Sequence, residues 1–183
     1  MQIVGEACEY GELRNLLRTT TCDVLVLDIN MPGRSGLDVL HALKDEGSPI
    51  RVLIVSMYPE DQYALRALRG GAYGYVNKGG DTAQIVTAVR MVAQGRKYIT
   101  AEMAQMLVES LTTPAPEAAH DKLSDRELQT LTMIASGKRL SDIAEQLSLS
   151  PKTVSVYRAR VLEKLGLTST SELPVYAIRS ELV

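Results

Sequence analysis

Ser150-Pro151-Lys152-Thr153-Val154-Ser155-Val156-Tyr157-Arg158-Ala159-Arg160-Val161-Leu162-Glu163-Lys164-Leu165-Gly166 reads as a helix with both ends written out. Ser150 is an N-cap whose hydroxyl can accept from an orphan N–H of the first turn. Pro151 falls at the first helical position, where a missing N–H costs nothing. Gly166 follows the last apolar residue and suits the left-handed C′ position. At about 100° per residue, Val154, Tyr157, Val161 and Leu165 share one face and should meet a core. Lys152, Ser155, Val156, Ala159 and Arg160 share the opposite face, with Arg158 and Lys164 on the flanks.

Working outward, residues 141–147 form a short helix that should bury Ile143, Ala144 and Leu147. The link Ser148-Leu149-Ser150 has the length of a helix-turn-helix turn. Earlier still, Ser124-Asp125-Arg126-Glu127 is a capping box, and Leu123 with Leu128 forms a hydrophobic staple. Leu128, Leu131, Ile134 and Ala135 mark the buried stripe of that helix, which Gly137 ends. The second helix of the pair has small side chains mid-face and cations at its margins. A helix entering a major groove needs that layout, with short groups at base edges and long cations at phosphates. With these motifs in place, the segment from Leu123 to the C-terminus resembles the LuxR-type helix-turn-helix.

Across 183 residues, 45% are hydrophobic but only 4% aromatic, without Phe or Trp, so the cores must be aliphatic. The net charge of −2 alone would not suggest a nucleic-acid binder. Local placement matters more: residues 121–183 hold about 9 Lys and Arg against about 8 acids, and the helix from Pro151 is about +3. No apolar run is long enough to span a membrane, and no signal pattern opens the chain, so a cytoplasmic protein is expected. Cys8 and Cys22 lack metal-ligand spacing and are expected as buried, reduced thiols.

The N-terminal part alternates strands and helices. Met1 to Val4 reads as the end of a strand, residues 9–18 as a helix, and Asp23-Val24-Leu25-Val26-Leu27-Asp28 as a strand buried on both faces. Further helices are expected at 37–44, 60–69 and 82–94, and strands at 50–55 and 72–76. An α/β parallel sheet follows, with functional residues at the C-terminal ends of its strands. Asp28, Ser56 and Lys78 sit there. One acid, one hydroxyl and one amine would converge on one crevice and suit a phosphorylated carboxylate: Asp28 as nucleophile, Ser56 bonding a phosphoryl oxygen, Lys78 neutralising charge.

These residues, with Met31-Pro32-Gly33, Gly36, Val52-Leu53-Ile54-Val55 and Gly71-Ala72-Tyr73-Gly74-Tyr75-Val76-Asn77, resemble the receiver domains of response regulators. The whole chain is similar to the NarL/FixJ family. That resemblance implies a flavodoxin-like receiver at 1–111, a linker at 112–120 and a helix-turn-helix domain at 121–183. It implies Asp28 as phosphoacceptor, Ser56, Tyr75 and Lys78 as phosphoryl-sensing groups, and Mg²⁺ held by Asp28 and the Asn30 carbonyl. Lys152, Thr153, Ser155, Val156, Arg158, Ala159, Arg160 and Lys164 become DNA-binding positions. The implied partners are promoter DNA, a sensor histidine kinase, RNA polymerase and a second copy of the chain, joined on DNA through Leu173, Tyr176 and Ala177. The family also opens with a strand ending in an acidic pair that supplies Mg²⁺ ligands. This chain starts where the second strand should be, so an incomplete receiver is expected, with the Ile3 strand either sliding onto 24–27 or left unpaired. Two other functions stay open: a phosphorylation-incompetent or dominant-negative regulator, which the missing acidic pair suggests, and a haloacid-dehalogenase-type phosphatase. In the latter a second Asp acts as acid/base, and Asn30 at that position cannot transfer a proton.

Overall fold

The computed structural model describes residues 1–112, 119–180 and 182–183. It divides into two compact units, Met1–Pro114 and Ala115–Val183. No helix among the described residues is long and apolar enough to cross a membrane.

The first unit is built on three parallel strands in the order β1-β2-β3: Val24–Leu27, Arg51–Ser56 and Gly74–Asn77. Val24 pairs with Arg51 and Leu27 with Ile54, then Leu53 with Gly74 and Ser56 with Asn77. β2 is central and nearly continuous in apolar residues, with Leu53 and Ile54 at 0% exposure. That is the pattern of a parallel strand covered on both faces. Helix α1 (Tyr10–Thr19) precedes β1, α2 (Gly36–Asp45) and α3 (Glu60–Gly70) connect the strands, and α4 (Thr82–Ala93) and α5 (Ala101–Thr112) follow β3. Ser35 caps α2 by accepting from the Leu37 N–H, and Asp81 caps α4 by accepting from Ala83. Gly71 ends α3 at φ 106, where a side chain would be strained. Ala88 and Val92 of α4 seal one face of the sheet against Leu53, Val55 and Val76.

Two expectations fail in this unit. Met1 to Val4 is not strand; Ile3 is 73% exposed. Of the two arrangements open to it, the unpaired one holds, and β1 is laddered to β2 on one side. A four-residue apolar run cannot hold strand geometry without a neighbour to share its hydrogen bonds. Cys8 is exposed and Cys22 half-buried rather than buried, because both lie in connecting chain, before α1 and before β1.

The second unit contains a 3-10 turn (Ala119–Lys122), α6 (Asp125–Ala135), α7 (Leu140–Gln146), α8 (Pro151–Leu165) and α9 (Glu172–Arg179). Helix α6 is its axis, packed by α8 and α9. Both halves of its capping box form: the Ser124 N–H donates to Glu127 Oε2 (2.7 Å) and the Glu127 N–H to Ser124 Oγ (3.4 Å). The staple residues Leu123 and Leu128 are buried. Of the expected linker, residues 113–118 lie outside the described residues. Ala119 and His120 are not linker-like: they belong to the 3-10 turn, and the His120 Nδ1 lies 3.1 Å from the Tyr176 hydroxyl of α9.

Candidate phosphoacceptor and nucleic-acid-binding sites

Asp28 follows β1, Ser56 ends β2, and Lys78 follows β3, so parallel pairing brings all three to one edge of the sheet. Lys78 Nζ donates to Asp28 Oδ2 at 2.7 Å, with the two side chains 39% and 33% exposed. The other carboxylate oxygen, Oδ1, accepts from the Asn30 N–H at 3.1 Å. Gly36 packs on the same segment: a Cβ there would lie 2.0 Å from the Asp28 carbonyl oxygen. Its N–H donates to the Ile29 carbonyl, so the loop 30–35 leaves and returns at one place.

Ser56 is fully buried, and its Oγ accepts from the Tyr58 N–H at 3.3 Å. Tyr75 is also fully buried, and its hydroxyl donates to the Tyr58 carbonyl at 2.7 Å. Burial pushes that hydroxyl far above the ordinary tyrosine value; a bond with Ser56 opposes the shift, and the charges of Glu60 and Asp28 add to it. Tyr75 therefore stays a neutral donor.

The receiver family uses Mg²⁺, which needs hard oxygen ligands in near-octahedral order. Among the described residues no group of three His, Cys, Asp or Glu gathers to hold a metal. The Asp28 carboxylate is already met by an ammonium and a backbone N–H. Asp28 and the Asn30 region do not by themselves fit the ion.

In the second unit α8 has the written ends. Ser150 Oγ accepts from the Thr153 N–H at 3.1 Å, and Gly166 turns left-handed at φ 67. Val154 and Val161 are buried, while Tyr157 and Leu165 are half-buried. Lys152, Val156, Ala159 and Arg160 stand exposed on the outer face, with Ser155 half-buried beside them. Thr153 turns back into the cap, its Oγ1 2.7 Å from Ser150 Oγ. Arg158 is half-buried, and its Nε finds no partner among the described residues.

Lys164, expected at a phosphate, is engaged within the unit. Its Nζ donates to Glu127 Oε2 at 2.6 Å and to the Lys122 carbonyl at 3.2 Å. It pins the end of α8 to the capped start of α6. Burial pushes the Glu127 carboxyl up, but the Lys164 ammonium and the Ser124 N–H outweigh that and hold it below its ordinary value. The signal available in the sequence was the capping-box acid itself: once Glu127 is buried by the staple, it needs a cation.

Two of the three residues expected at the dimer contact lie inside the unit, while Tyr176 is half-buried. Leu173 and Ala177 are at 0% exposure, and α9 packs on α6. Val175 (50%) and Ile178 (64%) form the outward stripe instead.

Family models match both units: the response regulator receiver domain over residues 1–90, and the luxR family of bacterial regulatory proteins over residues 121–177. The response regulator GacA of Pseudomonas aeruginosa is 37% identical over 184 residues, covering 100% of this chain and 86% of that protein. The response regulator UvrY of Escherichia coli K12 is 34% identical over 183 residues, covering 100% and 84%. RcsB from Salmonella enterica serovar Typhimurium, bound to promoter rprA in the presence of phosphomimetic BeF3-, shares the fold at TM-score 0.58, with 24% identity over 96% of this chain and 84% of that one. The chain belongs to the NarL/FixJ family of two-component response regulators. It is a transcription regulator with a receiver and a LuxR-type DNA-binding domain.

Proposed function

We propose that Asp28 is the phosphoacceptor through which a sensor histidine kinase controls binding of α8 to promoter DNA. The observation that carries this is the Asp28–Lys78 contact of 2.7 Å at the ends of two parallel strands, with Ser56 and Tyr75 behind it. In this reading an Asp28 carboxylate oxygen attacks phosphorus while the bond from phosphorus to the donor breaks. Lys78 then offsets the charge of the new phosphoryl group, and Ser56 and the Tyr75–Tyr58 contact register its arrival. The domain limits follow the same reading, with a receiver before 112 and a DNA-binding domain from 121, in a cytoplasmic protein.

On DNA, Ser155, Val156 and Ala159 face base edges, and the exposed Val156 suits a thymine methyl. Lys152, Arg158 and Arg160 meet phosphates, and Thr153 shapes the first turn of the helix. A single helix of this kind touches few base pairs, so two copies bind paired half-sites, joined through Val175 and Ile178. RNA polymerase is a further partner of the assembled complex.

The donor set around Asp28, which does not fit Mg²⁺, favours a second function on the same fold: a regulator that binds DNA without being phosphorylated. Intact-mass analysis after incubation with acetyl phosphate and Mg²⁺ separates the two. A phosphoryl adduct absent from Asp28→Asn supports the first. No adduct, with DNA binding retained, supports the second and overturns the first.

A further inference from the structure

Asn77 ends β3 in register with Ser56 and immediately precedes Lys78. Both ends of its side-chain amide are engaged. Oδ1 accepts from the Gly79 N–H at 2.7 Å, and the Asn77 carbonyl accepts from the Gly80 N–H at 3.2 Å. These bonds fold residues 77–80 into the turn that carries Lys78. The turn is tight: a Cβ on Gly79 would lie 3.0 Å from Asn77 Oδ1.

The other end of the amide points across to the segment that follows β2. Asn77 Nδ2 donates to the Tyr58 carbonyl oxygen at 3.1 Å. The same oxygen accepts from the Tyr75 hydroxyl at 2.7 Å. A carbonyl has two lone pairs, so two donors share one atom here. The Lys78 N–H is fixed on the Ser56 carbonyl at 2.8 Å, so its backbone is tethered and the turn sets where its long side chain points.

Resting on the roles given above to Asp28 and Tyr75, we propose that Asn77 is a positioning residue that couples the Tyr75–Tyr58 contact to the turn aiming Lys78 at Asp28. A change at the Tyr75 hydroxyl reaches Lys78 through one amide. The residue type matters, because an amide accepts at one end and donates at the other. Aspartate would bring no donor to Tyr58, and serine is too short to span the two loops.

Nuclear magnetic resonance on the full chain tests this without a phosphoryl donor. Tyr75→Phe removes one of the two donors on the Tyr58 carbonyl and leaves the Asn77 amide to hold it. In the otherwise unsubstituted chain this change should speed exchange of the Gly79 amide about fivefold, the factor carried by one net hydrogen bond, and shift the Lys78 ε resonances. In an Asn77→Ser background the serine hydroxyl still accepts from Gly79 but cannot reach Tyr58. There Tyr75→Phe should leave Gly79 and Lys78 where they were. Equal responses in both backgrounds, or none in the first, overturn the proposal. If Asn77→Ser does not fold, the unsubstituted chain decides it. The Asn77 side-chain amide protons should exchange about fivefold more slowly than those of the exposed Asn15, and equal rates refute the bond to Tyr58. Because none of these readouts needs phosphorylated Asp28, failure of acetyl phosphate labelling and failure of this coupling are separate results.

Discussion

Replacing Lys164 with Met keeps much of its aliphatic stem and deletes the ammonium. Glu127, 2% exposed, is left with the Ser124 N–H and no cation. Breaking a fully buried ion pair costs about 3–5 kcal/mol. Lys164 is itself 39% exposed, so water partly screens the pair and the figure must be discounted. A loss of about 2 kcal/mol is expected at pH 7. Native-state hydrogen exchange at the Leu131 and Ile134 amides reads this unit within the full chain. Those amides should exchange about thirtyfold faster in Lys164→Met. The sign with pH follows from the depressed carboxyl. Glu127 contributes stability above its ordinary value of 4.5 and loses it as pH falls through its lower folded-state value. The difference between the two proteins should therefore shrink on acidification. A phosphate contact predicts the opposite pattern, with unchanged exchange and a salt slope of DNA binding lowered by about 1. That outcome would refute the pinning role.

Arg160→Ala should weaken binding to operator and random DNA alike and lower the salt slope by about 1 in a fluorescence anisotropy titration. Val156→Ala should leave that slope alone and relax preference at one base pair, by about 1 kcal/mol in competition binding. Ile178→Asp should leave the fold intact and convert a paired footprint to isolated half-site occupancy, whereas Leu173→Asp should unfold the second unit. Ser124→Ala removes the N-cap of α6 and should cost about 1 kcal/mol in urea unfolding.

What the sequence disclosed depended on the distance over which each feature is decided. The ends of α8 were legible because Ser150, Pro151 and Gly166 act within one turn. Helix α9 begins after Ser171, as the tolerance of Pro174 for a first turn requires. Asp28, Ser56 and Lys78 were legible because each lies just past a short apolar run, and parallel pairing does the rest. The capping box marks Glu127 as an acid in need of a cation, but its partner Lys164 lies 37 positions away and no local pattern names it. The family resemblance put Leu173 and Ala177 of α9 at a dimer contact, and nothing local said that this side of the helix faces α6. Ser148 holds φ 53 in the helix-turn-helix link, a conformation unusual for a residue with a side chain, and Ser gives little warning of it. For Asn77, the Asn-x-Gly pattern signals the local turn, while the reach to Tyr58 is tertiary.

The closure of the loop after β1 has a consequence for how such a protein can diversify. Because Gly36 lies against the Asp28 carbonyl and bonds to Ile29, residues 30–35 form an excursion whose two ends meet. Lengthening or recolouring that excursion need not displace the carboxylate at its root, since closure entropy changes slowly with length. Position 36 itself is closed to every side chain, so drift is confined to the stretch between. A lineage can thus vary the surface presented beside Asp28 while the chemistry beneath it stays put, one route by which duplicated copies part company in the partners they recognise.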